Sequence, residues 1–359
     1  MLIIGILIYL YFSGVFLTHK VAIVGAGIIG MTNAIAILEN NKNREDKFEV
    51  TVFSKEEPLA TNSDAAVATW FAPNDDKPLL QRCCLQSLPK FAELIKNQTP
   101  GVNIISEVLY FTSETDFKNS IWAKESVRHA VELHENTDAE LKVDGFPFSV
   151  LIKIPLINPN FYRPYMLEKF KKLGGKIEVK KIDALSELAE SYAIVINSSG
   201  WEAKFLTDDK LVYPIRGQTE TFALTPDFKN NRSLNVEGLT AYVVFRPIDK
   251  GDGDCVIGTT FQIGDSNREI SPEDSQRIIN NVASFFPPVK NVATTSKVGI
   301  RCGRSEVRIE AERKDQSMIV HCYGHGGSGY SASWGSANKV LEYCNNFVSE
   351  PNAIPRSRI

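Results

Sequence analysis

Three arginines, Arg301, Arg304 and Arg308, punctuate the run Val298 to Glu310, which otherwise reads as an apolar strand. A guanidinium cannot shed its charge, so each needs a partner. A buried Asp or Glu can supply it, or a substrate carboxylate gripped through two parallel hydrogen bonds. Shortly after, Ile319 to Ala337 carries an apolar strand into the glycine-dense turn HCYGHGGSGYSASWGSA and out into a helix. Such a turn presents backbone N–H and C=O groups at close range to a flat ligand. His321 and His325 lie in it and read as structural or ligand-facing. No obvious acid/base pair stands out, so no general acid or base is expected. The six cysteines, Cys83, Cys84, Cys255, Cys302, Cys322 and Cys344, show no metal-ligand spacing and read as scattered buried thiols.

A second glycine turn stands near the start, in KVAIVGAGIIG from Lys20 to Gly30. Lys20 to Val24 reads as a buried parallel strand. Gly25 permits the tight turn, Gly27 lets N–H groups approach a pyrophosphate, and Gly30 lets the next helix pack on the strand. That helix, Ile28 to Glu39, aims its N-terminal dipole at the phosphates. A second strand, Glu49 to Phe53, follows at the distance a dinucleotide-binding unit requires. Beyond it Ser54 or Glu56 could meet the ribose, and the residue types there do not separate FAD from NAD. Thr61 to Trp70, TNSDAAVATW, is small and polar, then small and apolar, which suits a backbone running close along a cofactor.

The elements that must hold these turns follow from the pattern. Asn158 to Lys172 reads as a helix, and Lys176 to Lys181 and Tyr192 to Asn197 as strands. The last ends in the small-residue turn Asn197 to Trp201, at the strand edge where open α/β sheets bind ligands. The segments between Phe71 and Ile157 and between Leu211 and Val298 carry turns and short extended runs, such as Leu239 to Phe245 and Asp254 to Gln262. They read as an antiparallel domain interleaved with the first. At 359 residues and net charge −3, with 43% hydrophobic residues, the chain has a substantial core and no basic stripe for nucleic acid. MLIIGILIYLYFSGVFL has no charged side chain and reads, as residues 1–18, as a cleaved signal peptide, with an uncleaved anchor as the alternative. Asn97 and Asn231 begin glycosylation acceptor triplets, and the terminal Pro355 to Ile359 is not a peroxisomal ending. Export is therefore expected, with no nucleic-acid partner.

In order along the chain, KVAIVGAGIIG, TNSDAAVATW, YPIRGQTE, GIRCGRSEVRIE and HCYGHGGSGYSASWGSA resemble the D-amino-acid oxidase and D-aspartate oxidase family. The resemblance covers nearly everything after residue 19. It implies an α/β chain, a Rossmann-like FAD-binding domain (19–68, 158–209 and 308–350) interleaved with an antiparallel-sheet-rich α+β substrate domain (69–157 and 210–307). It implies FAD as cofactor, touched by Gly25, Ala26, Gly27, Ile28, Ile29 and Gly30; by Thr61, Asn62, Ser63, Ala68 and Thr69; by Ile182 and Ser199; and by Gly326, Gly327, Gly329, Tyr330 and Ser331. It also implies that Arg308 clamps the substrate carboxylate, that Tyr242 stands beside it, and that the Gly327 carbonyl takes the amine. Hydride passes from the substrate α-carbon to the flavin, oxygen becomes hydrogen peroxide, and the imino acid hydrolyses to a 2-oxo acid and ammonia. An acidic substrate needs a second cation, for which Arg232 and Arg246 are the candidates. Phe261 favours a neutral substrate. The sequence leans to D-aspartate and D-glutamate, with an oxidase of neutral D-amino acids or a catalytically silent flavin-binding relative as the alternatives.

Overall fold

The computed structural model describes residues 18–73, 76–136, 143–225, 228, 232–237, 239–247 and 253–349. The leader expected at 1–18 therefore lies outside the described residues except for Thr18, which begins the first strand.

Two sheets carry the molecule. The first has six strands, in the order Arg308–Lys314, Ser317–Tyr323, Ile194–Asn197, Thr18–Val24, Lys47–Ser54 and Lys176–Val179. All are parallel except the first, an antiparallel edge. Side-chain alternation explains the burial. Val21 and Ile23 face one way, into the main core, while Ala22 and Val24 face the other, against Leu185, Leu188 and Val195. Helices Ile28–Asn40 and Gly329–Ser349 belong to the main core, and Pro78–Lys96 lies along the second of them. Its N-terminal amides are held by the Glu306 carboxylate, which accepts from Leu79 N at 2.9 Å and Leu80 N at 3.3 Å.

The second sheet has nine strands. Tyr213–Ala223 is its hub, pairing through residues 213–221 with Thr295–Gly303 and also with Gly253–Gly258 and Gln262–Ile263. From Gly253–Gly258 the order continues through Ala241–Pro247, Ser233–Val236, Val102–Phe111, Phe148–Ile157 and Glu132–Glu135. Every pairing is antiparallel except that of Val102–Phe111 with Ser233–Val236. Val243 and Phe245 pack on helix Pro272–Ala283 in a core of their own, whereas Val244 faces the main core.

The run Val298 to Glu310, read from sequence as one strand, is two. Thr295–Gly303 belongs to the nine-stranded sheet and Arg308–Lys314 to the six-stranded one. Between them Arg304 Nη1 donates to the Glu306 carbonyl at 2.8 Å and its Nε to Asp209 at 3.1 Å, pinning the crossover. All six cysteines are buried and unpaired. Burial raises every one of the thiols, those of Cys302, Cys322 and Cys344 to about 12.

Candidate active site

Strands Thr18–Val24, Lys47–Ser54, Ile194–Asn197 and Ser317–Tyr323 end at the same edge of the parallel sheet, and the turns that leave them wall a cavity of about 610 Å³. Its opposite wall is one face of the nine-stranded sheet.

At the parallel-sheet end the wall is mostly backbone. Gly25 has φ +111°, and a Cβ there would fall 2.4 Å from the Ser198 carbonyl oxygen. At Gly30 a Cβ would fall 1.9 Å from the Gly25 oxygen, so the helix can sit this close only on glycine. Gly25, Ala26, Gly27, Ile28 and Ile29 line the cavity, and Gly30 packs behind them. Asn197 Nδ2 is buried at the end of its strand with no hydrogen-bond partner among the described residues, and the neighbouring Ser198 and Ser199 line the cavity. This cradle of glycine and small polar groups fits a dinucleotide pyrophosphate.

Thr61, Asn62 and Ser63 line the cavity too, but each is already tied to another part of the chain. Thr61 Oγ1 accepts from Arg163, Asn62 Oδ1 from Ile300 N at 3.0 Å, and Ser63 Oγ from Ile28 N at 2.9 Å. The loop thus joins the glycine turn to the strand that carries Arg301. Arg163 was not singled out from the sequence. It is buried, and its guanidinium also donates to the carbonyls of Pro58 and Leu59, fixing the loop from behind. Its signal, an arginine in a helix otherwise read only as packing, carries no motif.

Ser54 and Glu56 both reach the cavity. The Ser54 hydroxyl donates to the Glu56 carbonyl, and the Glu56 carboxylate is paired with Arg268 at 2.6 Å. Ala68, Thr69, Ile182, Ser199, Gly326, Gly327, Gly329 and Tyr330 are lining residues. Ser331 is not. Its hydroxyl accepts from Phe71 N at 2.9 Å. His325 lines the cavity but is neutral, pushed down to about 3 by burial, and lies 3.0 Å from the Ser336 hydroxyl. His321 is buried outside the lining, 3.3 Å from Glu312. Neither geometry offers a base.

On the nine-stranded wall, Arg301 and Tyr242 meet. The Arg301 guanidinium lies over Gly217, where a Cβ would fall 2.0 Å from Nη1, and Tyr242 lies over Gly258, where a Cβ would fall 2.3 Å from the hydroxyl. Bare backbone on two neighbouring strands therefore makes room for both side chains. Arg301 donates only weakly, to Thr260 O at 3.3 Å and Thr259 Oγ1 at 3.2 Å, with Phe261 beneath it at 5.6 Å. Among the described residues no carboxylate pairs with it. Burial lowers its pKa, and nearby Tyr242 opposes that shift. Gly327 is adjacent, its Cβ position 3.9 Å from Arg301 Cδ.

Three arginines expected at the site are elsewhere. Arg308 is on the other sheet, outside the cavity, donating to Glu310 and to the Tyr323 hydroxyl at 2.7 Å. That hydroxyl in turn donates to Asp209 at 2.9 Å. The crossover after Gly303 is the physical reason: it sends residue 301 into the cavity and residue 308 to the edge of the parallel sheet. Arg246 is buried in a two-pronged pair with Asp254, with Nε 2.6 Å from Oδ1. Arg232 is exposed and does not line the cavity.

Residues 20–342 match the family model described as FAD dependent oxidoreductase. A D-amino-acid oxidase of Rubrobacter xylanophilus is 29% identical, the match covering 89% of this chain and 94% of that protein. Human D-aspartate oxidase is 28% identical over 95% of this chain and 99% of its own. The fold is shared with a glycine oxidase from Geobacillus kaustophilus, with TM-score 0.74 and 16% identity over 95% of this chain and 99% of that one. With the glycine cradle, the opposed sheets and a match over most of its length, the chain belongs to the FAD-dependent oxidoreductase family, and FAD is its cofactor.

Proposed function

We propose that the protein is a D-amino-acid oxidase: it removes two electrons across the Cα–N bond of a D-amino acid, leaving an imino acid that water converts to a 2-oxo acid and ammonia. The observation that carries this reading is Arg301, a cation facing the cavity with no carboxylate of its own among the described residues. It takes the substrate carboxylate, the Tyr242 hydroxyl adds a second donor, and the Gly327 carbonyl accepts from the amine. Held against the glycine cradle of Gly25 to Ile29, FAD would supply the electron acceptor and the route by which the electrons reach oxygen. The chain's task is to hold the α-hydrogen in line and to keep water out, and hydride transfer asks for no strong base from the wall. The likeness to D-amino-acid and D-aspartate oxidases supports the same reading.

The acidic preference read from the sequence requires a second cation near Arg301. Arg246 is committed to Asp254 and Arg232 lies off the lining, so the wall as described favours a non-acidic substrate. Human D-aspartate oxidase remains the argument for the acidic one. Anaerobic titration of the holoprotein with D-alanine, D-aspartate, glycine and L-alanine separates these readings. D-alanine should bleach the flavin absorbance and L-alanine should not. Bleaching by D-aspartate alone would restore the acidic reading, and bleaching by no D-amino acid would overturn the proposal.

A further inference from the structure

The nine-stranded wall holds two carboxylates for which D-amino-acid oxidation itself has no use. Alternation along the strands puts Glu107, Asn235, Tyr242 and Val244 on the cavity face, while Val108, Leu234 and Val243 face the opposite core. Asn235 is directly across from Tyr242, and Glu107 lies two residues from the partner of Asn235 on the next strand. Glu107 is 2% exposed, and its Oε2 has no hydrogen-bond partner among the described residues. The side chain of Asn235 meets the same carboxyl, and Glu237 stands near it, touched by Trp122. On the other side, strand Phe148–Ile157 sets Ile152 directly across from Glu107 and places Ile154 in the lining.

We propose that the cavity is built for D-amino acids with a positively charged side chain, whose ammonium or guanidinium is received by Glu107 with Glu237 beside it. This rests on the D-amino-acid oxidase reading, which assigns Arg301 to the α-carboxylate. Among the described residues Arg301 is then the only lysine or arginine that the nine-stranded wall offers, and it is occupied. An acidic side chain would meet two more carboxylates. An aliphatic one would leave the Glu107 oxygen buried and unmet, which buried polar groups avoid. A cationic side chain supplies the missing donor and the opposite charge together. Burial, reinforced by Glu237, pushes Glu107 up to about 7, and the Asn235 contact only partly opposes it. The empty pocket therefore tolerates the carboxyl in its neutral form, and the arriving cation favours its ionisation, with the proton released to solvent. Of the described groups facing Glu107, Glu237 and Tyr242 titrate, and both are raised by burial.

The test compares D-lysine with D-norleucine on the purified holoprotein, since the two differ only by the terminal ammonium. The readouts are kcat/KM from oxygen consumption and anaerobic flavin bleaching, with D-arginine, D-alanine and D-aspartate alongside. We expect D-lysine to exceed D-norleucine by tenfold or more, on the order of a charge-assisted contact. That ratio should rise as pH passes upward through about 7, where Glu107 ionises. In the isosteric Glu107→Gln variant the ratio should fall at least about tenfold. Flavin absorbance reports whether the variant folds, and the wild-type comparison does not depend on it. Equal rates for D-lysine and D-norleucine, or a preference for D-aspartate, would overturn this inference and leave D-amino-acid oxidation standing. If none of the D-amino acids bleached the flavin, both readings would fall.

Discussion

The two ends of the cavity are built from different materials. At the parallel-sheet end, recognition is written in backbone: Gly25 at φ +111°, Gly30 against the Gly25 carbonyl, and the amides of a helix N-terminus. At the nine-stranded end it is written in side chains, Arg301 and Tyr242, each laid over a glycine of a neighbouring strand. A cofactor kept through every turnover suits a frame that cannot change rotamer. A substrate that comes and goes suits charged and hydroxyl groups on long side chains. Glycine serves both ends, but at the first it is the contact and at the second it is the space.

That contrast can be broken in four places. The largest effect belongs to Gly25→Ala. With its φ and the 2.4 Å approach to Ser198, the methyl has no place, and the protein should purify without flavin absorbance near 450 nm, on the order of 10²-fold or more weaker in FAD binding. Next comes Arg301→Ala, which should keep the flavin but lower kcat/KM for D-amino acids by about 10²–10³-fold, with Arg301→Lys intermediate because a point charge replaces a fork. Retained activity in Arg301→Ala would sink the assignment. Gly217→Ala leaves every functional group present but drives a methyl to 2.0 Å from the Arg301 guanidinium, so KM should rise about tenfold with the flavin spectrum unchanged. Smallest is Arg308→Ala. Its loss should change kcat/KM by less than about threefold and instead lower the thermal midpoint by a few degrees, since what it removes is a partly exposed bond to Tyr323 and Glu310. A collapse of activity there would return the clamp to Arg308.

The backbone end was legible in the sequence because its logic is local. The expected strand Lys20 to Val24, the helix Ile28 to Glu39 and the strand Glu49 to Phe53 appear as Thr18–Val24, Ile28–Asn40 and Lys47–Ser54. A glycine turn needs only its own neighbours to be recognised. The side-chain end was not, because it depends on which sheet a residue joins. Arg301 and Arg308 lie seven positions apart in what reads as one apolar run, and only the interruption at Arg304 to Val307 sends them to different sheets. Nothing in the strand pattern marks that interruption as a crossover until Glu306 is seen holding the helix Pro78–Lys96. Arg246 looked available because Asp254, its partner, belongs to the next strand of the hairpin. Glu107 had no motif at all. It is one carboxylate in Val102–Phe111, a strand within a stretch read only as turns and short extended runs, and its meaning comes from the neighbour on the adjoining strand.

The six buried thiols have a consequence for how long such a catalyst lasts. An enzyme with the proposed oxidase activity would release hydrogen peroxide inside its own walls, and peroxide attacks thiolate sulfur far faster than thiol sulfur. Cys302 and Cys322 stand in the cavity lining, yet burial holds both at about 12, so almost none of either is thiolate at neutral pH. The packing that buries these two sulfurs thus keeps them in the form that peroxide attacks slowly.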